Sequence, residues 1–299
     1  MKKILLATDG SVHARQSAKF FASLPHDEKV EITVVSALYL PVTNQTYLTG
    51  DWIRNCIEQD EKQAEQEFEW IKKLYAGANV TLNHVIREGH PGEAIVAVAR
   101  DIDAELVVLG AKGKSAVNRI LLGSTSDYVA THAPCSVLVV RPTEAITKGQ
   151  PIRIAIGYEE SGAAQAAIEE FSEFSWGKEP DVRIVNVSFR FGFFDADYLK
   201  LSDQMIKNAA DQIRSVAPNA TGVHLESDHF GEALVQYAED EKIDIFVVGE
   251  TPRTRLGRVL MGSMTRYVLR HAPSGVWITR NRAIHGVQKN SEAKEVASE

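Results

Sequence analysis

The sequence predicts an α/β chain of two tandem doubly wound domains, each a five-stranded parallel sheet with helices on both faces. Three observations predict it. Strand and helix signals alternate, β-α-β-α-β-α-β-α-β, which by layer logic gives a parallel sheet covered on both sides. The order then returns: GEAIVAVARDIDAELVVLG, residues 92 to 110, matches GEALVQYAEDEKIDIFVVG, residues 231 to 249, without a gap. Gly92 and Gly231, Gly110 and Gly249, Gly123 and Gly262, His132 and His271 each stand 139 positions apart, the mark of a duplication. Finally, LVVL, from Leu106 to Leu109, and SVLVV, residues 136 to 140, are apolar runs of the kind that form strands buried on both faces.

Taken in order, KILLAT (3 to 8) is a first strand ending at Asp9-Gly10-Ser11, where Ser11 caps a helix with Ala14, Ser17, Ala18, Phe21 and Ala22 at helical spacing. EITVVSAL, from Glu31 to Leu38, is strand two, followed by a loop from Pro41. Ile53, Ile57, Ala64, Phe68, Ile71 and Tyr75 make the stripe of a long amphipathic helix, and NVTLNHVI is strand three. Pro91-Gly92-Glu93 opens the next helix, which leads into LVVLG. Gly110, Gly113 and Gly123 punctuate the loop that follows, and Ser124 stands at the expected N-cap of TSDYVATHA.

The second copy begins with IRIAIGYEES and VRIVNVSF, and RPTEAITKGQP (141 to 151) is the polar break between copies. The expected domains are therefore 1–142 and 151–281, with 282–299, which lacks apolar periodicity, as a disordered tail.

Composition narrows the function classes. A net charge of −7 gives no global attraction to nucleic acid or an anionic membrane. Two cysteines, Cys56 and Cys135, make no disulfide framework and suit a reducing cytoplasm. The opening MKKILLA is cut by Thr8-Asp9-Gly10 far short of a signal sequence, and no apolar run reaches the ~20 residues of a membrane span.

The loop from Gly110 to Ser126 is the candidate site. Glycines let backbone approach a phosphate closely, and a helix start offers free N–H groups to an anion. Its residues, Gly110-x2-Gly113-x9-Gly123-Ser124, together with Asp9 after strand one and the ending HAPCSVLVVR, resemble the universal stress proteins in their tandem form. The resemblance covers nearly the whole chain. It implies strand order 3-2-1-4-5 in each domain and binding of ATP or a related adenine nucleotide in the first, with or without Mg²⁺. Laid over this chain, it places Asp9 towards ribose or adenine, Ala37 against the base, and Gly110, Gly113, Gly123 and Ser124 around the phosphates. That order puts the reversal of the sheet, where ligands of open α/β sheets bind, between strands one and four. Thr125 and Ser126 add hydroxyls there, and Lys112 and Lys114 are either phosphate partners or solvated lysines.

Other nucleotide signatures are absent: Val108 stands where a P-loop ahead of Gly113-Lys114-Ser115 needs glycine, and neither first strand is followed by GxGxxG. The second copy departs from the pattern. Glu250 follows Gly249 and is expected to repel phosphate, Pro252 replaces the second glycine, and Gly157 is read as the counterpart of Asp9. It is therefore expected to be mainly scaffold, or to bind another ligand. Its arginines, Arg253 to Arg270, read as an ion-paired solvated face, and the aromatic loop Phe189, Phe191, Phe193 and Phe194 as local core in preference to a ligand pocket.

No catalytic residue and no metal ligand is assigned: no Ser/His/Asp or paired-carboxylate arrangement emerges, and His84, His90, His224 and His229 match no zinc spacing. His132 and His271 read as structural, and Cys135 as a buried thiol. The resemblance implies a cytoplasmic stress or signalling protein whose two copies pair through their final strands as an intramolecular pseudo-dimer, with a further homodimer open. A slow ATPase and a nucleotide-free interaction protein are the alternatives.

Overall fold

The computed structural model describes residues 1–39, 50–113, 122–177, 179–189, 196–250, 253–255 and 258–280, by backbone alone at 50–53, 196–199, 253–255 and 258–260. Lys114, Pro252, Phe191, Phe193, Phe194, the loop from Pro41 and the 282–299 tail lie outside the described residues, as do the side chains of Arg253, Arg255 and Arg258.

In the first copy the elements are β1 (Lys3–Ala7), α1 (Val12–Ser23), β2 (Val30–Leu38), α2 (Gly50–Leu74), β3 (Val80–Glu88), α3 (Pro91–Asp101), β4 (Leu106–Gly110), α4 (Ser124–His132) and β5 (Ser136–Val140). The segment read as a polar break holds a short helix, α5 (Glu144–Lys148), capped by the Thr143 side chain and closed by Gly149 at φ 62°. The second copy repeats the order as β6 (Arg153–Gly157), α6 (Gly162–Ser172), β7 (Asp181–Ser188), α7 (Ala196–Gln212), β8 (Thr221–Glu226), α8 (Phe230–Asp240), β9 (Ile245–Gly249), α9 (Ser263–His271) and β12 (Gly275–Thr279). It adds a small antiparallel hairpin of β10 (Arg253–Arg255) and β11 (Arg258–Leu260) ahead of α9.

All ten main strands form one sheet, in the order β3-β2-β1-β4-β5-β12-β9-β6-β7-β8. Each half thus carries the 3-2-1-4-5 order, and its strands are parallel. The halves join where β5 and β12 run antiparallel, with Val139 opposite Val276 and Leu138 opposite Trp277. Neither final strand is left as an edge, and every residue of both is buried. The antiparallel joint turns the strand ends of the two copies, where ligands of such sheets bind, towards opposite ends of the molecule.

Two apolar layers sandwich the sheet. Phe21 of α1, Ile71 of α2, Phe171 of α6 and Ile206 of α7 lie in one; Ile95 of α3, Val129 of α4, Leu234 of α8 and Val268 of α9 lie in the other. Two matched arginines lock the seam by exchanging helices. Arg141, just past β5, donates to the carbonyls of Leu269 (2.6 Å) and Ser274 (2.9 Å) at the end of α9. Arg280, just past β12, donates to those of Ala130 (2.6 Å) and Ala133 (3.4 Å) at the end of α4. Both cations occupy the negative ends of helix dipoles and satisfy carbonyls that a helix leaves orphaned. They are not alike otherwise: Arg280 is fully buried against Glu250, with Nε 3.0 Å and Nη2 2.5 Å from Oε2. Burial pushes the Arg141 guanidinium down to about 10.

Among the described residues, no helix is long and apolar enough to cross a membrane.

Candidate functional site

A cavity of about 330 Å³ opens at the carboxyl ends of β1, β2 and β4, where the strand order reverses. Its floor is apolar, from Val35, Ala37, Leu38 and Ile95, and its far end is polar, from Lys112, Gly113, Thr125 and Ser126.

Asp9 leaves β1 into a turn that Gly10 closes at φ +72°, and its Oδ1 accepts the Ser11 N–H at 2.9 Å. Ser11 in turn caps α1 by accepting from Ala14 N. This local bonding aims the carboxylate across the cavity at the glycine loop. A Cβ placed on Gly113 would stand 2.7 Å from Asp9 Oδ2, so the two residues named from sequence are in van der Waals contact. Gly110 has a different reason to be glycine: a Cβ there would stand 2.9 Å from the His13 backbone, because α1 crosses β4 at that point. Gly249 is held in the same way, since a Cβ there would run into the Ala163 carbonyl. That packing explains why this glycine persists in the copy where Pro252 replaces the second glycine.

At the helix start the N-cap is Gly123 and not Ser124, which is the first helical residue. Both residue types cap well, and the extended backbone of Gly123 (φ −78°, ψ 155°) takes the position here. The Gly123 N–H donates to the Ala111 carbonyl at 2.7 Å. Thr125 lines the cavity, and so does Ser126, whose hydroxyl is committed to the Gly110 carbonyl at 2.8 Å. Gly123 and Ser124 are not among the lining residues, so of the expected set Asp9, Ala37, Gly110, Lys112, Gly113, Thr125 and Ser126 come together on the cavity.

Sequence reasoning missed one whole wall, α2, which contributes Asp60, Gln63, Ala64 and Glu67. Glu67 is 5% exposed, and both carboxylate oxygens accept from Arg15 Nε at 3.1 and 3.0 Å, with a further short contact to Nη2. Arg15 also lies over the Trp70 ring at 5.2 Å. The signal was present as an acid within the apolar stripe of α2: Asp60, Ala64 and Glu67 follow the i, i+4, i+7 rule. Tyr39 also stands at the rim, edge-on to His90 at 5.5 Å.

Asp9, Asp60 and Glu67 share the cavity, yet among the described residues no three acidic, histidine or cysteine side chains converge to hold a metal ion. The four histidines are dispersed: His84 is on β3 and His224 on β8, the two outer strands of the sheet, and His90 and His229 stand at the helix starts of α3 and α8. His84 meets the Ser36 hydroxyl at 3.3 Å and stacks on Phe68, and burial pushes its imidazole below its ordinary range. His132 and His271 each meet, at 2.8 Å, the carbonyl of the tyrosine one turn earlier and stack on its ring, a shared structural role. The Cys135 thiol is pushed up to about 12 by burial.

The second copy corrects three sequence expectations. The residue matching Asp9 is Glu159, not Gly157: Gly157 ends β6 as Ala7 ends β1, and Asp9 and Glu159 each stand two residues before the helix caps Ser11 and Ser161. Glu250 does not project a free charge at the loop. It is buried, with Oε2 on Arg280 and Oε1 accepting the Gly262 N–H at 2.8 Å, so its charge is neutralised and it braces the start of α9. Phe189, read as local core, is 55% exposed and packs on Phe230. Among the described residues of the arginine face, Arg270 pairs across the seam, Nη2 to Asp127 Oδ2 at 2.9 Å.

Comparison with known proteins gives a consistent answer. The family model described as "Universal stress protein family" matches residues 1–141 and again 153–280. A universal stress protein of Thermus aquaticus is 36% identical over 146 residues, 47% of this chain and 98% of its own length. One from Methanocaldococcus jannaschii is 30% identical over 142 residues, 47% of this chain and 82% of its own. In three dimensions a universal stress protein from Archaeoglobus fulgidus superposes with a TM-score of 0.65 at 18% identity, covering 93% of this chain and 95% of that one.

Proposed function

The chain belongs to the universal stress protein family, and on that premise we propose that its first copy binds ATP or a related adenine nucleotide while the second serves mainly as scaffold. The observation that supports this most is that Asp9 and Gly113 meet on one cavity lined both by apolar residues of β2 and α3 and by the polar residues of the glycine loop. A nucleotide needs both kinds of surface. Its base suits the floor of Val35, Ala37 and Leu38, its ribose hydroxyls suit the Asp9 carboxylate, and its phosphates suit Lys112, Gly113, Thr125 and the first N–H groups of α4 beyond Gly123 and Ser124. Ser126 contributes backbone and holds Gly110 in place. With no preformed metal site among the described residues, Mg²⁺ enters this reading only as a companion of the phosphates.

The functional units are residues 1–142 and 151–281, joined as an intramolecular pseudo-dimer, and the β5–β12 ladder and the exchanged arginines support that reading. In this reading the protein acts in a cytoplasmic stress or signalling response by binding, without appreciable hydrolysis; of the three acids on the cavity, Glu67 is paired with Arg15 and Asp9 accepts the Ser11 N–H. Neither nucleic acid nor membrane is a partner in this reading.

Mass spectrometry of small molecules released from natively purified protein tests the reading. An adenine nucleotide approaching one per chain is expected. Its absence, together with failure to regain it on dialysis against ATP, overturns the proposal.

A further inference from the structure

The second copy carries a larger cavity than the first, in a shifted place. About 900 Å³ lies between the end of β7 and α7, while the space at the end of β9, beside Gly249 and Met264, is only about 50 Å³. Sequence explains the shift. At the 139-residue displacement Met264 stands for Thr125 and Phe230 for Pro91, so bulk fills the end where the first copy keeps a hydroxyl and open floor. The room that remains corresponds to the base-and-sugar end of the first site, widened towards α7.

Its chemistry is distinct. Among the described lining residues there is no lysine, arginine or histidine, while Glu159 and Glu160 stand at the same cavity. An anionic ligand would meet like charge with nothing to neutralise it. Aromatic faces are plentiful: Tyr158, Phe230 and the exposed Phe189 line it, the last two 4.7 Å apart between ring centroids. Leu201, 70% exposed, adds apolar surface at the rim.

The wall is also preorganised. Asn186, Ser188 and Ser202 are all buried polar residues on this cavity. Asn186 Nδ2 donates to the Tyr158 carbonyl at 2.8 Å, and the Ser202 hydroxyl lies 3.2 Å from Asn186 Oδ1. His224 joins the set from behind, with Ser188 Oγ 3.0 Å from Nε2 and Ser202 Oγ 3.3 Å from Nδ1. If Ser202 donates to Asn186, it accepts from Nδ1–H, and Nε2 then accepts from Ser188: one tautomer satisfies the whole set. Buried polar side chains in a fixed network beside aromatic rings are what a site needs to orient a small heterocycle.

We propose that the cavity between β7 and α7 is a second binding site, specific for an uncharged, ring-bearing, hydrogen-bonding ligand of nucleoside type that carries no phosphate. This goes beyond the nucleotide reading of the first copy and does not need it. The chain would then read two ligands at opposite ends of one sheet.

Calorimetric titration of the full-length protein tests the proposal, with adenosine, guanosine, cytidine and uridine as probes and the four 5′-monophosphates as charged comparators. The Gly113→Ala variant weakens the first site and Asn208→Trp fills the second, since Asn208 lines the cavity and is exposed on α7. Saturable binding of at least one nucleoside by Gly113→Ala is expected. It should be at least tenfold tighter than its monophosphate and lost in a folded Asn208→Trp. Binding of none of the four, equal binding of nucleoside and monophosphate, or binding unchanged by Asn208→Trp overturns it. ATP titrated into Asn208→Trp reports the first site separately, so failure of one reading is not mistaken for failure of the other.

Discussion

Gly113 touches the carboxylate of Asp9: a Cβ at that glycine would stand 2.7 Å from Oδ2. The neighbouring loop glycine, Gly110, instead meets the backbone of α1. One glycine is thus required by the site and the other by the fold, although the sequence presents them as one motif.

Alanine substitution separates the two. Gly113→Ala displaces the end of a side chain, so its stability should stay within about 0.5 kcal/mol of the parent, while nucleotide affinity falls tenfold or more because Asp9 is pushed from its place. Gly110→Ala drives a methyl into backbone and should cost about 1–3 kcal/mol. Urea unfolding and ATP titration on both variants check this; equal loss of stability in the two would contradict it.

Arg280 and Glu250 form a buried pair in which either residue alone is a liability. Arg280→Ala leaves the Glu250 carboxylate, 3% exposed at its side chain, without its cation and should destabilise by about 3–5 kcal/mol. Replacing Glu250 as well by alanine, the residue at the matching position 111, should recover part of that loss. A double mutant no more stable than Arg280→Ala in urea unfolding would show that the pair does not matter as such.

Acid should weaken the fold through two half-buried imidazoles. Burial lowers both His26, packed between Phe21 and Tyr75, and His84, stacked on Phe68. Because the unfolded chain binds these protons more readily, their contribution is complete above pH about 6.5 and is lost as pH falls through the folded values. Unfolding midpoints should therefore fall between pH 7 and 5, and less steeply in His26→Gln/His84→Gln. An unchanged slope would assign the acid sensitivity elsewhere.

The thiols should differ in reactivity. Cys56 is partly exposed on α2 and should alkylate readily at pH 8, whereas Cys135, buried and pushed up to about 12, should react only in denaturant. The same shift has a stability consequence: the folded state holds the Cys135 proton longer, so stability is lost as pH rises between the ordinary thiol range and about 12. Labelling of two thiols per native chain, read by intact mass, would contradict this.

Much of this was legible in the residues. Alternating apolar runs and the fixed displacement carried the fold, because β-branched runs buried on both faces read the same in any context. Asp9, Ala37, Lys112 and Gly113 were within reach because strand ends converge at a reversal of strand order. The α2 wall was not, since Asp60 and Glu67 reach the cavity only once a long helix has packed against β2 and β3. Gly157 was mistaken for the partner of Asp9 because strand ends were matched; matching the caps Ser11 and Ser161 would have given Glu159. Glu250 looked like a repulsive charge because its partner, Arg280, lies thirty positions along the chain and is recruited only at the seam.

The most direct measurement is the stoichiometry of ATP binding to the intact chain by isothermal titration, repeated with Gly113→Ala. One site per chain, lost or weakened tenfold or more in the variant, is the expected result. No binding, or two equivalent sites that Gly113→Ala leaves unchanged, would contradict the assignment of the nucleotide to the first copy.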